Sequence, residues 1–340
     1  MWDFSIGQTV NGLMKTLPFI VFRVLVYFGI ALLYIFATGI GSAVGFGFGS
    51  FGDGDGRGAG AFYGGLFGFA GASGVLYFLR EYILYMVKAG HIAVLVYAYD
   101  GKDLPDGRGQ IDFAANVVKE NFGQANILFV LDQLIKGVLK VITGIVGGVT
   151  AFLPIPAVQN VVGVLNTILK NSLTYVDEII LAHNLRIGSD NPWETSRQAL
   201  VLYAQNYITF LKNAAWLWAI MWAITFVIFL IFVVPAFGIL AIFPGNVGFW
   251  GFVIAFIMAW AFKAAILEPF AIYALMQVYF KKIEGQEPNP EWDEKLSKAS
   301  KKFRELKDKA MSHVPGSGPA PEPKPAPAGD GPLPPPPDPE

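Results

Sequence analysis

The 340-residue chain is 54% hydrophobic and only 15% charged, with no cysteine and a formal net charge of −1. Its mean hydropathy is +0.48, whereas soluble domains carry roughly a quarter charged residues, so composition points to an integral membrane protein. Without cysteine there are no disulfides, thiolate nucleophiles or cysteine-held zinc, and the near-neutral balance gives no reason to expect nucleic acid.

The first apolar run begins near Leu17, is too long for the core of a signal peptide, and reads as an uncleaved anchor. About 20 apolar residues cross the hydrocarbon as a helix. Four stretches qualify, at 24–45, 60–79, 214–240 and 249–280, the last longer than one crossing requires. The expected fold is therefore all-α integral membrane, with about four transmembrane helices in two hairpins, 1–80 and 213–282. Between them lies an amphipathic helical region, 81–212, and beyond them an amphipathic helix, 289–312, and a tail, 313–340. The loop "FGDGDGRG" holds Arg57 against Asp53 and Asp55, and the loop "AIFPGNVG" holds no charge, so 24 of the 25 Lys and Arg avoid both short loops. Basic residues gather on the cytoplasmic side, which places both termini and the middle region there, in a bacterial inner membrane.

Glycine recurs every four residues at Gly41, Gly45 and Gly49, and again at Gly60, Gly64 and Gly68 followed by Ala72. On helices this spacing makes shallow faces that allow close backbone approach, which drives pairing in lipid. The faces fit a tight hairpin of the first two spans; the alternative is a pore or a seam between copies of a homo-oligomer. "GFGSFG" (Gly47, Gly49, Gly52) formally matches a dinucleotide fingerprint but follows a helix rather than a strand, so it carries no such site. Asp53 and Asp55 begin like a calcium loop, but Arg57 takes the third ligand position, and a solvated turn is expected.

Residues 82–99 are apolar apart from Lys88 and a lone His91, and either continue the second span or lie on the membrane surface. His91 reads as structural. "DGKDLPDGRGQ" (100–110) is a polar, turn-rich loop. A helical pair follows around "LPIP" (153–156). Its first arm carries a stripe of Leu131, Leu134, Ile135, Val138, Leu139 and Ile142 opposite Asp132, Lys136 and Lys140, and its second runs from Val158 to Ile180. Such amphipathicity fits an interfacial hairpin or one packed under the spans; a re-entrant hairpin broken at Pro154 and Pro156 is the alternative. Asn191, Pro192 and Glu194 form a helix start, and that helix is expected to run into the third span. Asp177, Glu178 and His183 lack zinc-site spacing and read as surface polarity.

"KAGHIAVLVYAYDG", "NVVKENFGQANILFVLDQLIKGVLK", "NSLTYVDEIILAHNL" and "SRQALVLYAQN", followed by two spans, resemble in order the core of choline transporter-like proteins over residues 86–282. Those are polytopic solute carriers, so the resemblance implies transport. The chain lacks the larger span number and the cysteine-bearing segments typical of that family, and no functional residue is carried over.

Lys263 and Glu268 are the only charges well inside a span as bounded above. Intramembrane ionisable residues mark function by default, although Lys263 is also placed to snorkel to headgroups. Past Asn289-Pro290 the positions Trp292, Leu296, Ala299, Phe303, Leu306 and Ala310 form one apolar stripe that docks on the body, a partner or another copy. Residues 313–340 hold 12 prolines and read as a disordered cytoplasmic tail whose "LPPPP" resembles a ligand for aromatic grooves.

No nucleophile–base pair, metal spacing or phosphate loop is evident, and three histidines leave little acid–base material, so no enzyme activity, cofactor or metal is expected. Two roles remain: a conduit (transporter or channel) for a small solute or ion, and a membrane-organising scaffold that recruits partners through its interfacial helices and tail.

Overall fold

A computed structural model describes residues 2–51, 56–107, 109–122, 125–151, 175–240 and 248–313. The Asp53–Asp55 turn, the Pro154–Pro156 tip with most of the arm that follows, the 241–247 loop and the proline-rich tail lie outside the described residues.

Every regular element among the described residues is helical. In chain order they are α1 (Ile6–Lys15), α2 (Leu17–Gly49), α3 (Gly56–Tyr99), α4 (Gly109–Phe122), α5 (Ala125–Ala151), α6 (Val176–Ile187), α7 (Pro192–Gln205) and α8 (Tyr207–Leu240). Then come α9 (Gly248–Phe262), a π-helical turn (Lys263–Leu267), α10 (Glu268–Ile283), α11 (Pro290–Ala299) and α12 (Lys301–Ser312). Among the described residues three helical stretches are long and apolar enough to cross a membrane: Leu17–Gly49, Tyr207–Ile239 and Phe249–Ile283. Their outer faces present Leu25, Phe36, Ile40, Phe226 and Val234, each at least 60% exposed. A contiguous apolar belt of this kind marks a surface made for lipid or another apolar partner.

The α2–α3 pair is built on glycine. A methyl added at Gly41 would land inside the carbonyl oxygen of Gly64, one at Gly45 inside that of Gly60, and one at Gly49 inside that of Gly56. In the reverse direction Gly60, Gly64 and Gly68 meet the carbonyls of Gly45, Gly41 and Ala37. The two backbones therefore run antiparallel in direct contact. Ser42 adds a hydrogen bond to the Ala61 carbonyl at 2.9 Å. These faces are used within the chain and are not free for a second copy, whereas Gly29, Gly71 and Gly74 face open space. The α8–α9 pair closes through Ala236, Trp250, Ile254 and Ala255. Tyr27 and Ala31 of α2 pack on Ala261, Ala264 and Ala265.

Below the belt the same long helices continue into a helical body. α3 is unbroken, so 82–99 extends the second apolar segment rather than turning aside. From Ala89 to Val96 it is buried on all faces, as is α10 from Ala271 to Phe280. A helix apolar all round is satisfied in a protein core or in lipid, and here it is the core that surrounds it. The α5 stripe, Leu131 through Ile142, packs into this protein core rather than against an interface. α1, capped by Ser5 on the Gln8 amide at 3.3 Å, is tied to α10 by Gln277, which donates to Thr9 Oγ1 at 2.7 Å.

Two expected helices are broken. The start at Asn191 holds, its side chain accepting from Glu194 N at 3.1 Å, but α7 ends at Asn206 instead of running into α8. There the Asn206 amide turns back to Leu202 O and out to Gln286. The helix over 289–312 divides at Ser300, whose hydroxyl caps α12 on the Phe303 amide at 3.2 Å. Leu296, Phe303 and Leu306, on either side of the break, all bury in one core.

Gly41→Ala is expected to force the α2 and α3 backbones apart and lower detergent stability by about 1–3 kcal/mol. Gly29→Ala on the same helix meets nothing within 4 Å and is expected to be neutral or stabilising by up to about 1 kcal/mol. Thermal unfolding of the two variants side by side checks the contrast.

Candidate functional site

The site begins with a proline. Pro269 has no N–H and its ring crowds the carbonyl of Ala265, so a regular α-helix cannot pass through it unchanged. The chain opens into a π turn, in which the Glu268 amide bonds Lys263 O, one residue further back than an α-helix would choose. That leaves the Ala264 carbonyl without an amide: Glu268 N–H is taken and Pro269 has none to give. π turns of this kind recur at functional sites.

Arg23 fills the gap. It lies in the second turn of α2, fully buried, and its Nη2 donates to Ala264 O at 2.5 Å. The same nitrogen is 3.8 Å from Glu268 Oε2, while Lys263 Nζ is 3.2 Å from Glu268 Oε1. Tyr27 supports the guanidinium from one side, its ring centre 5.2 Å away. Two cations thus share one carboxylate inside apolar helices, and Arg23 Nε and Nη1 find no hydrogen-bond partner among the described residues. Lys263 turns its ammonium to Glu268.

A second charged group adjoins the first from the body. Lys88 Nζ lies 2.6 Å from Glu178 Oε1, and Lys136 Nζ lies 2.7 Å from Asp132 Oδ2 and 3.5 Å from Asp177 Oδ2. Burial pulls the Lys88 ammonium down, but the Glu178, Glu268 and Asp177 carboxylates outweigh it and hold the group well above the usual lysine range. Burial, then the neighbouring Asp177 charge, pushes the Glu178 carboxyl up to about 8 against the pull of Lys88. Across the two groups four cations (Arg23, Lys88, Lys136, Lys263) face four carboxylates (Asp132, Asp177, Glu178, Glu268).

Of the residues singled out in the sequence, Lys263 and Glu268 come together. The glycines do not join them: Gly41 is 18 residues along α2 from Arg23, or about 27 Å. Arg23 was missed because the first span was counted from Val24, one residue too late. Asp177, Glu178 and His183 are not surface polarity. Glu178 and His183 are buried, and His183 Nδ1 faces the Tyr279 hydroxyl at 3.4 Å. His91, also buried, stacks on Phe19 with centroids 4.9 Å apart and meets Thr16 Oγ1 at 3.3 Å. Among the described residues no group of His, Cys, Asp and Glu is arranged to hold a metal ion.

No protein-family model, curated protein or solved structure matches the chain. Its class rests on its own residues: an all-helical protein with three helices long and apolar enough to span a membrane, and ionisable groups buried where they meet the helical body.

Glu268→Gln leaves Arg23 and Lys263 without their counter-charge and is expected to cost about 3–5 kcal/mol. Adding Lys263→Met should recover part of that loss, because the two sites are coupled; thermal unfolding of the single and double variants measures it.

His183 is held down to about 4, first by burial and then by Arg186, against an unfolded value near 6.5. Its contribution is therefore complete above pH 6.5 and lost as pH falls through 4, on the order of 3 kcal/mol. A pH series of melting curves should show a shallower acid limb for His183→Gln than for the parent.

Proposed function

We propose that the protein is a polytopic integral membrane protein that serves as a conduit for a small solute or ion. The observation that carries this reading is the Arg23–Lys263–Glu268 group. Desolvating three charges inside apolar helices is expensive, and residues of this kind mark pathways by default. A purely structural pin needs one cation per carboxylate; here a second cation and two unpartnered Arg23 donors remain. In this reading α3 supplies the fourth crossing beside α2, and the crossings form two hairpins. The helical body, rich in Lys and Arg, lies on the cytoplasmic side with both termini. The ordered resemblance to choline transporter-like proteins over 86–282 supports a solute as cargo.

A membrane-organising role is the second reading. It draws on α1, whose Ile6, Val10 and Met14 leave an apolar face 48%, 47% and 60% exposed, as an interfacial helix would.

The protein reconstituted in vesicles is tested against choline-like cations, inorganic ions and small osmolytes. Flux of one of them in wild type, lost in Lys263→Met while the variant still inserts and folds, is the expected result. Lys263→Arg need not restore it, because a planar guanidinium does not reproduce a compact ammonium. No flux of any of them in wild type overturns the conduit in favour of the organising role.

A further inference from the structure

Between α3, α5 and α6 lies a cavity of about 30 Å³, walled by Tyr85, Lys88, Asp132, Lys136, Asp177 and Glu178 among others. Its volume admits one or two waters. The charges around it do not balance: Lys88 and Lys136 face three carboxylates. Lys136 spans Asp132 and Asp177, and Lys88 takes Glu178 Oε1. Glu178 Oε2 is left over. It is buried, and it has no hydrogen-bond partner among the described residues. The Tyr85 hydroxyl in the cavity wall is spent elsewhere, donating to Leu128 O at 3.0 Å.

A buried carboxylate oxygen without a donor is costly, and two remedies exist: a cation or a proton. Lys88 reaches Oε1 only, and among the described residues no group of His, Cys, Asp and Glu is arranged to hold a metal ion. The remaining remedy is a proton shared with water in the cavity. We propose that this cavity is a proton-exchange site, in which Glu178 takes a proton onto Oε2 from cavity water and returns it there. Uptake forms one carboxyl O–H bond and converts a hydronium to water; release breaks that bond and gives the proton back to water, with no redox partner. The half-exposed Lys136 side chain and the partly exposed Asp177 mark the way to bulk solvent.

The groups facing Glu178 set the balance. From α3, Lys88 favours the ionised form; Tyr85, raised by burial, keeps its own proton and is neutral. From α5, Asp132 and Lys136 face the cavity paired with each other at 2.7 Å. Asp177, beside Glu178 at the start of α6, opposes ionisation, and Tyr175, raised by burial, stays neutral. Glu268 and Tyr27 lie further off, toward the belt. The α6 N-terminus favours the anion, but only weakly. Burial and Asp177 prevail. The proposal concerns proton binding itself and stands apart from the conduit reading.

Infrared difference spectra of the full chain in detergent, recorded along a pH titration, read the site directly. A protonated-carboxyl stretch that fades with a midpoint near 8 is expected in the parent, and it should be missing in Glu178→Gln. Asp177→Asn keeps the titrating group and removes the repelling charge, so the same band should persist with its midpoint lower by about one unit. This second variant keeps the test decisive should Glu178→Gln fail to fold. Absence of the band in the parent, its survival in Glu178→Gln, or an unmoved midpoint in Asp177→Asn overturns the proposal.

Discussion

The structure hangs on one hydrogen bond between a side chain and a freed carbonyl. Where apolar helices meet, a backbone C=O with no donor is expensive, and Pro269 creates such an orphan at Ala264. Arg23 supplies the missing donor from α2, 241 residues away in sequence. That bond joins the glycine-built α2–α3 pair to the α9–α10 rod. Because α3 and α10 then run unbroken into the body, the register set there is transmitted to the core helices around Ala89–Val96 and Ala271–Phe280.

Two regimes of packing meet here. For helices that lie in lipid, burial against a neighbour has little advantage over burial against lipid, and pairing relies on how closely backbones approach. Glycine and alanine line the contacts of α2 with α3, and small residues recur where α9 meets α2. In the body the hydrophobic effect operates, and the contacts are made by large side chains such as Leu128, Leu131, Ile180, Leu200 and Phe303. The chain is glycine-rich in the first half of α3 and bulkier in the second, and it is the second half that enters the large-residue core.

Charge follows the same boundary. The buried ions gather on the body side of the belt, and each pair joins two segments: Arg23 with Glu268, Lys88 with Glu178, Lys136 with Asp177. A buried ion pair adds little net stability over an apolar substitute. Its cost here is accepted at the place where helices entering from different directions must be held in one arrangement. Unpartnered atoms remain at the same place, on Arg23 and Glu178. These are the groups a pathway or a proton would use.

Sequence alone determined the class and the periodic features, because those depend on neighbours within a few turns. Composition and run length showed the long apolar helices; four-residue glycine spacing showed which faces are small; Asn191-Pro192 showed a helix start; the α5 stripe showed which side is buried. The π turn too has a local cause, since Pro269 must disturb any helix that contains it. Three things were decided only by tertiary structure. Arg23 looks like a flanking cation until the Ala264 carbonyl is seen to need it. Glu178 and His183 look like surface residues because burial of a polar group depends on partners such as Lys88 and Tyr279, roughly 90 positions away. The breaks at Asn206 and Ser300 fall at residue types that also occur inside helices, and at Asn206 the side chain reaches Gln286, 80 positions away. Local pattern specifies how each helix is built, while long-range pairing chooses which of its charges are turned inward, and the candidate site consists of those charges.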